Sequence, residues 1–93
     1  MEVTGRMRHT SRVCQIVREH VDATLNKGEY SDGLDYKVYI IACGYILGNE
    51  KYWISTDLPD GKYFEVTYNA ASDEYYLDGY VRYHNERVGG DTT

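Results

Sequence analysis

Tyr36-Lys37-Val38-Tyr39-Ile40-Ile41-Ala42-Cys43-Gly44-Tyr45-Ile46-Leu47 is the stretch whose reading decides the fold. It is dominated by β-branched and aromatic residues, which suit a pleated surface and crowd the preceding turn of a helix. The stretch reads as a strand, and its apolar density makes it the expected central, most buried one. Gly44, with no side chain to pack, is the expected place for a bulge or bend. Gly48-Asn49 follows as a two-residue hairpin signal, so a second strand over 50–56 should return antiparallel beside the first.

Downstream the same logic repeats. In Leu58-Pro59-Asp60-Gly61, Pro presets φ and Gly accepts a positive φ, which makes a turn. Strands over 62–68 and 74–84 follow, joined by Asn69-Ala70-Ala71-Ser72-Asp73, and residues 88–93 with Gly89-Gly90 should be a frayed tail. Upstream the period changes from two to 3.6 on crossing the loop that holds Gly33. Val13, Cys14, Ile16, Val17, Val21 and Leu25 fall on one half of a helical wheel, opposite Arg12, Gln15, Arg18, Glu19 and Asp22, so 11–27 reads as an amphipathic helix. Thr10 or Ser11 can cap its start and Asn26-Lys27-Gly28 can stop it. The expectation is one domain over 1–93, an α+β two-layer fold with the helix packed on a four-stranded antiparallel meander.

One helix covers one face of a sheet. Phe64, Val66 and Tyr68 should face it from the third strand, Tyr75, Leu77, Val81 and Tyr83 from the fourth, and Tyr52 and Ile54 from the second. Trp53, Tyr63, Tyr76 and Tyr80 then stand on the open face among Glu65, Asp78 and Lys51, an aromatic area ringed by charge. Composition agrees with burial shared by tyrosine: there are 11 Tyr in 93 residues, against only one Phe and one Trp.

The net charge of -5 is unevenly spread. The acids lie mostly after Gly28, while Arg6, Arg8, Arg12 and Arg18 all lie before it. An acidic body repels phosphate backbones, so nucleic-acid binding is disfavoured unless it uses the basic N-terminal segment. No apolar run is long enough to span a bilayer and the start has no apolar signal core, so a membrane or secreted location is not expected. Cys14 and Cys43, each flanked by apolar residues, suit reduced, buried thiols in a cytoplasm, with a single bridge between them the alternative.

Chemistry finds little support. Cys14, His20, Cys43 and His84 show no CxxC, HxxxH or HExxH spacing, so no metal is expected. Cys14 and His20 are about 120° apart around the helix, which does not stack them as a nucleophile and base. His9 and His84 are expected to be solvated. The pairs Asp57 with Asp60 and Asp73 with Glu74 sit at turns, where carboxylates usually cap backbone N–H groups. No phosphate-cradling or nucleophile-elbow pattern occurs, so neither a cofactor nor catalysis is expected.

Tyr63-Phe64-Glu65-Val66-Thr67-Tyr68-Asn69, followed by Asp73-Glu74-Tyr75-Tyr76-Leu77, resembles the paired strands of PepSY domains, without the Thr-Gly turn usual there, and no function is carried over. In size, acidity and lack of catalytic motifs the chain is also similar to small phage-encoded inhibitors of bacterial defence such as anti-CRISPR proteins, a likeness of class and not of motif. It implies a viral inhibitor or adaptor, in the cytoplasm of a host cell, that occupies a basic, nucleic-acid-binding face of a larger protein. The expected contact residues are Trp53, Tyr63, Tyr76 and Tyr80, with the acids Asp57, Asp60, Glu65, Asp73, Glu74 and Asp78. A twofold homodimer through the open sheet face is the other expected use of those aromatics.

Overall fold

The computed structural model describes residues 8–25 and 35–91. One helix, α1 (Thr10–Leu25), precedes four strands, β1 (Val38–Ile46), β2 (Asn49–Thr56), β3 (Lys62–Asn69) and β4 (Glu74–Val81). They form one antiparallel sheet in the order β1-β2-β3-β4. The expected α+β two-layer meander is what the chain adopts.

The helix buries one stripe. Val13, Val17 and Val21, four residues apart, are buried against Tyr52, Ile54, Phe64 and Val66 of the two central strands. Burying each such side chain stabilises the fold by about 1.5–3 kcal/mol. On β2 the alternation is complete: Glu50, Tyr52, Ile54 and Thr56 are buried, and the residues between them are half-buried. Tyr36 then ties the later part of the helix to the start of β1. Its hydroxyl donates to Asp22 Oδ1 at 2.5 Å, while the Arg18 guanidinium lies 4.7 Å from its ring centroid and donates to its carbonyl at 3.3 Å. Burial first, and the bond to Asp22 next, push the Tyr36 phenol up to about 12.

Five expectations are corrected. The apolar stretch around β1 is not central: it forms an edge of the sheet, and no residue of Val38–Ile46 is fully buried. Apolar density reports what a strand could bury, whereas chain order in a meander places the first strand at the rim. The bulge falls between Ile40 and Ala42, and Gly44 pairs regularly with Lys51. The extra residue, Ile41, reverses the alternation, so that Val38 and Ile40 before it share the helix side with Cys43 and Tyr45 after it, matching inward-facing Thr56, Ile54, Tyr52 and Glu50 across the strand pair. The first hairpin turns at Leu47-Gly48, one residue earlier than Gly48-Asn49, because both have positive φ and Asn49 already pairs with Ile46. β4 ends at Val81; Val81 and Tyr83 are exposed, since the helix lies nearest β1 and β2 and does not reach that corner. Cys14 and Cys43 are half-buried and joined by no disulfide, and burial pushes the Cys14 thiol up. The expected C-terminal stop of the helix and the Gly33 loop lie outside the described residues.

Candidate protein-binding surface

The strand register decides which side chains meet on the open face. Ala42, Trp53, Glu65 and Asp78 form one cross-strand row; Tyr39, Ser55, Tyr63 and Tyr80 form a second; Gly44, Lys51, Thr67 and Tyr76 form a third. Tyr63 and Tyr80, directly opposed, stack with centroids 5.0 Å apart and planes 15° from parallel. Beside them Glu65 stands opposite Asp78, and Lys51 Nζ reaches Glu65 Oε2 at 3.1 Å. Among the described residues no cation pairs with Asp78. The Tyr80 phenol is pushed up first by Glu65, then by desolvation and Asp78, with Lys51 opposing, so the surroundings of its hydroxyl are net negative. The sheet thus brings together Trp53, Tyr63, Tyr80, Glu65 and Asp78, with Tyr76 one row away and donating to Glu74 Oε1 at 2.9 Å.

The remaining acids do not join them. Asp57 and Asp60 lie at the turn between β2 and β3, where Asp57 Oδ1 accepts from the Lys37 N–H at 2.8 Å and Asp60 Oδ1 from the Lys62 N–H at 3.1 Å. Asp73 and Glu74 lie at the opposite end of the sheet, about 25 Å away at strand rise. Asp73 there accepts the Tyr68 hydroxyl at 2.8 Å. The turn acids therefore hold backbone and tyrosine groups locally, and the sheet separates them into two ends.

The sequence reading missed a buried network under the start of the helix. The Tyr52 hydroxyl donates to Glu50 Oε1 at 2.5 Å, and His9 Nδ1 lies 3.0 Å from that same oxygen. An ionised carboxylate only accepts, which puts the imidazole proton on Nδ1. The His9 N–H donates to the Tyr52 hydroxyl at 3.3 Å, while the His9 carbonyl accepts from Val13 N in the first turn of the helix. The His9 ring also packs 4.2 Å from the ring of Tyr68, so His9 is a half-buried anchor and not the solvated residue expected. One signal could have found the network: Glu50 is in phase with Tyr52 and Ile54, the inward set of β2. The other expected solvated imidazole, His84, is exposed and lies 2.9 Å from Glu86.

A cleft of about 660 Å³ opens at the other end of the sheet, walled by Ile41, Leu58, Lys62, Tyr63, Arg82 and His84 among others. Of the arginines offered for nucleic acid, Arg18 is held on Tyr36 and Arg12 lies 5.7 Å from the Tyr75 ring centroid. Arg8 is exposed, and Arg6 lies outside the described residues. No cluster of His, Cys, Asp or Glu suited to a metal occurs among the described residues, and no helix there is long and apolar enough to cross a membrane.

Fold and surface define a class: a small two-layer α+β protein with one helix-covered sheet face and one open, aromatic and negative face. Within that class the chain belongs to a family of unknown function, DUF6275, whose sequence profile matches residues 10–89. No curated protein and no solved structure matches it.

Proposed function

We propose that the protein is a non-enzymatic protein-binding module, an inhibitor or adaptor that lays its open sheet face on a basic, nucleic-acid-binding face of a larger protein. The observation that carries this reading is the Glu65 and Asp78 pair, set directly opposite each other among Trp53, Tyr63 and Tyr80. Like charges directly opposed on a sheet destabilise it, and Lys51 offsets only one of them. A guanidinium or ammonium from a partner relieves that repulsion and finds aromatic faces beside it. Trp and Tyr also supply most hot-spot energy in interfaces, and the acidic net charge speeds encounter with a basic surface. The same face suits the class of small viral inhibitors of defence, acting in the cytoplasm of a host cell.

The test uses immobilised protein to capture partners from host extract, with the Glu65→Lys, Asp78→Lys double variant as the comparison. The wild type should retain a basic nucleic-acid-binding protein that the variant releases and that added nucleic acid displaces. Equal retention by both, or salt-sensitive binding of nucleic acid by the purified protein itself, contradicts the reading.

A further inference from the structure

The strongest unexplained feature lies away from the open-face aromatics, at the β1 edge and its turn. Leu47 and Gly48 have φ values of 54° and 83°, so both central residues of the hairpin are left-handed. That turn favours Asn, Asp or Gly, and a residue with an ordinary Cβ loses on the order of 1–2 kcal/mol in it. Leu47 is also 97% exposed. It is poorly placed both for backbone conformation and for solvation, which points to a contact outside the chain.

The adjoining edge strand has the same character. Residues 38–48 contain no charge, and Tyr39, Ile41 and Ile46 are 49%, 57% and 42% exposed. Among the described residues β1 has a neighbour on one side only. Proteins commonly guard edge strands with charges, because a strand at the rim of a sheet can accept another strand. The other edge, β4, carries Glu74 and Asp78; β1 carries nothing of the kind.

We propose that β1 pairs antiparallel with β1 of a second copy about a twofold axis, extending the sheet to eight strands. This goes beyond the open-face reading and leaves that face uncovered. Three observations favour a second copy as the occupant. With a net charge of -5, two copies carry like net charge, and the uncharged 38–48 stretch is where they meet without opposing like charges. The bulge makes the pairing consistent: an axis between Ile41 and Ala42 sets Tyr39 opposite Gly44 and Ile40 opposite Cys43 of the second copy, each pair on one side of the sheet. Antiparallel pairing also brings the Leu47 tip of one copy to the end where the other copy's cleft opens, with Ile41 and Leu58 on its wall. A strand edge alone falls short of the roughly 1,000 Å² that a specific interface needs, and two symmetric Leu47 seats add to it. Because the axis is perpendicular to the sheet, both helices lie on one side and both aromatic faces on the other, so the dimer is bivalent.

Sedimentation velocity across a wide concentration range tests this. The mass should rise from 10.8 kDa toward twice that value with concentration. Leu47→Asn keeps a residue suited to positive φ, so its thermal midpoint should hold or rise while association weakens about tenfold or more. Ile41→Lys puts a charge on the edge and should leave a monomer, with Glu74→Gln on the opposite edge as a control of unchanged mass. A wild type that stays monomeric at every concentration overturns the proposal. So does a dimer that tolerates both Leu47→Asn and Ile41→Lys, or one abolished by Trp53→Ser, which places the contact on the open face.

Discussion

Replacing Tyr52 by Phe removes one oxygen from a fully buried side chain and leaves the ring packing in place. That oxygen donates to Glu50 Oε1 at 2.5 Å and accepts from the His9 N–H at 3.3 Å, so the substitution removes two hydrogen bonds, one to a carboxylate. A hydrogen bond to a charged group contributes about 1.5–3 kcal/mol net. Glu50 is only 8% exposed and cannot replace its lost partner freely with water, which puts the expected loss near 2–3 kcal/mol. Against about 5–14 kcal/mol of net stability for a chain of this length that is a large share, and the midpoint should fall by roughly 8–24 °C. Urea unfolding followed through the single tryptophan, Trp53, reads the loss directly. In a Glu50→Gln background the same substitution should cost clearly less, because the two residues share the interaction. A loss under about 0.5 kcal/mol, or equal losses in both backgrounds, refutes the view that this network fastens the helix to the sheet.

Three other outcomes follow from particular contacts. Desolvation and carboxylate hydrogen bonds raise the phenols of Tyr36 and Tyr52 above the ordinary value of 10.0, Tyr36 to about 12. Stability that rests on a raised pKa is fully present below the unfolded value and lost as pH rises through the folded one. Tyrosinate absorbance should therefore show these two phenols titrating only with unfolding above about pH 10, and a melt unchanged between pH 8 and 11 contradicts this. Gly48→Ala, at φ 83°, should destabilise by about 1 kcal/mol or more, whereas Gly79→Ala, whose added Cβ would meet the Phe64 ring at an ordinary 3.5 Å, should stay near wild type in urea titration. Ile54→Ala opens the centre of the core and should lose about 2–5 kcal/mol in the same assay.

The layers of this fold are legible in periodicity. Spacing by four identifies Val13, Val17 and Val21, and alternation identifies Tyr52 with Ile54 and Phe64 with Val66, because each pattern reports which side chains share a face. The same alternation places Trp53, Tyr63, Tyr76 and Tyr80 on the open side. What it does not report is a strand's place in the sheet, which is why the most apolar strand is an edge. The bulge at Ile41 was hidden for a related reason: it serves the match between β1 and the already fixed face of β2, a property of the pair and not of β1 alone. Leu47 in a left-handed turn goes against local propensity, and His9 depends on a partner some 41 residues away.

The most direct test of the proposed binding face is calorimetry of the captured partner against wild type and against Asp78→Lys. Asp78 is exposed on the open face and makes no ion pair among the described residues, so the substitution should leave folding intact. Affinity should fall at least tenfold, about 1.4 kcal/mol, with the difference shrinking as salt rises. Unchanged affinity for a properly folded Asp78→Lys protein contradicts the assignment of this face.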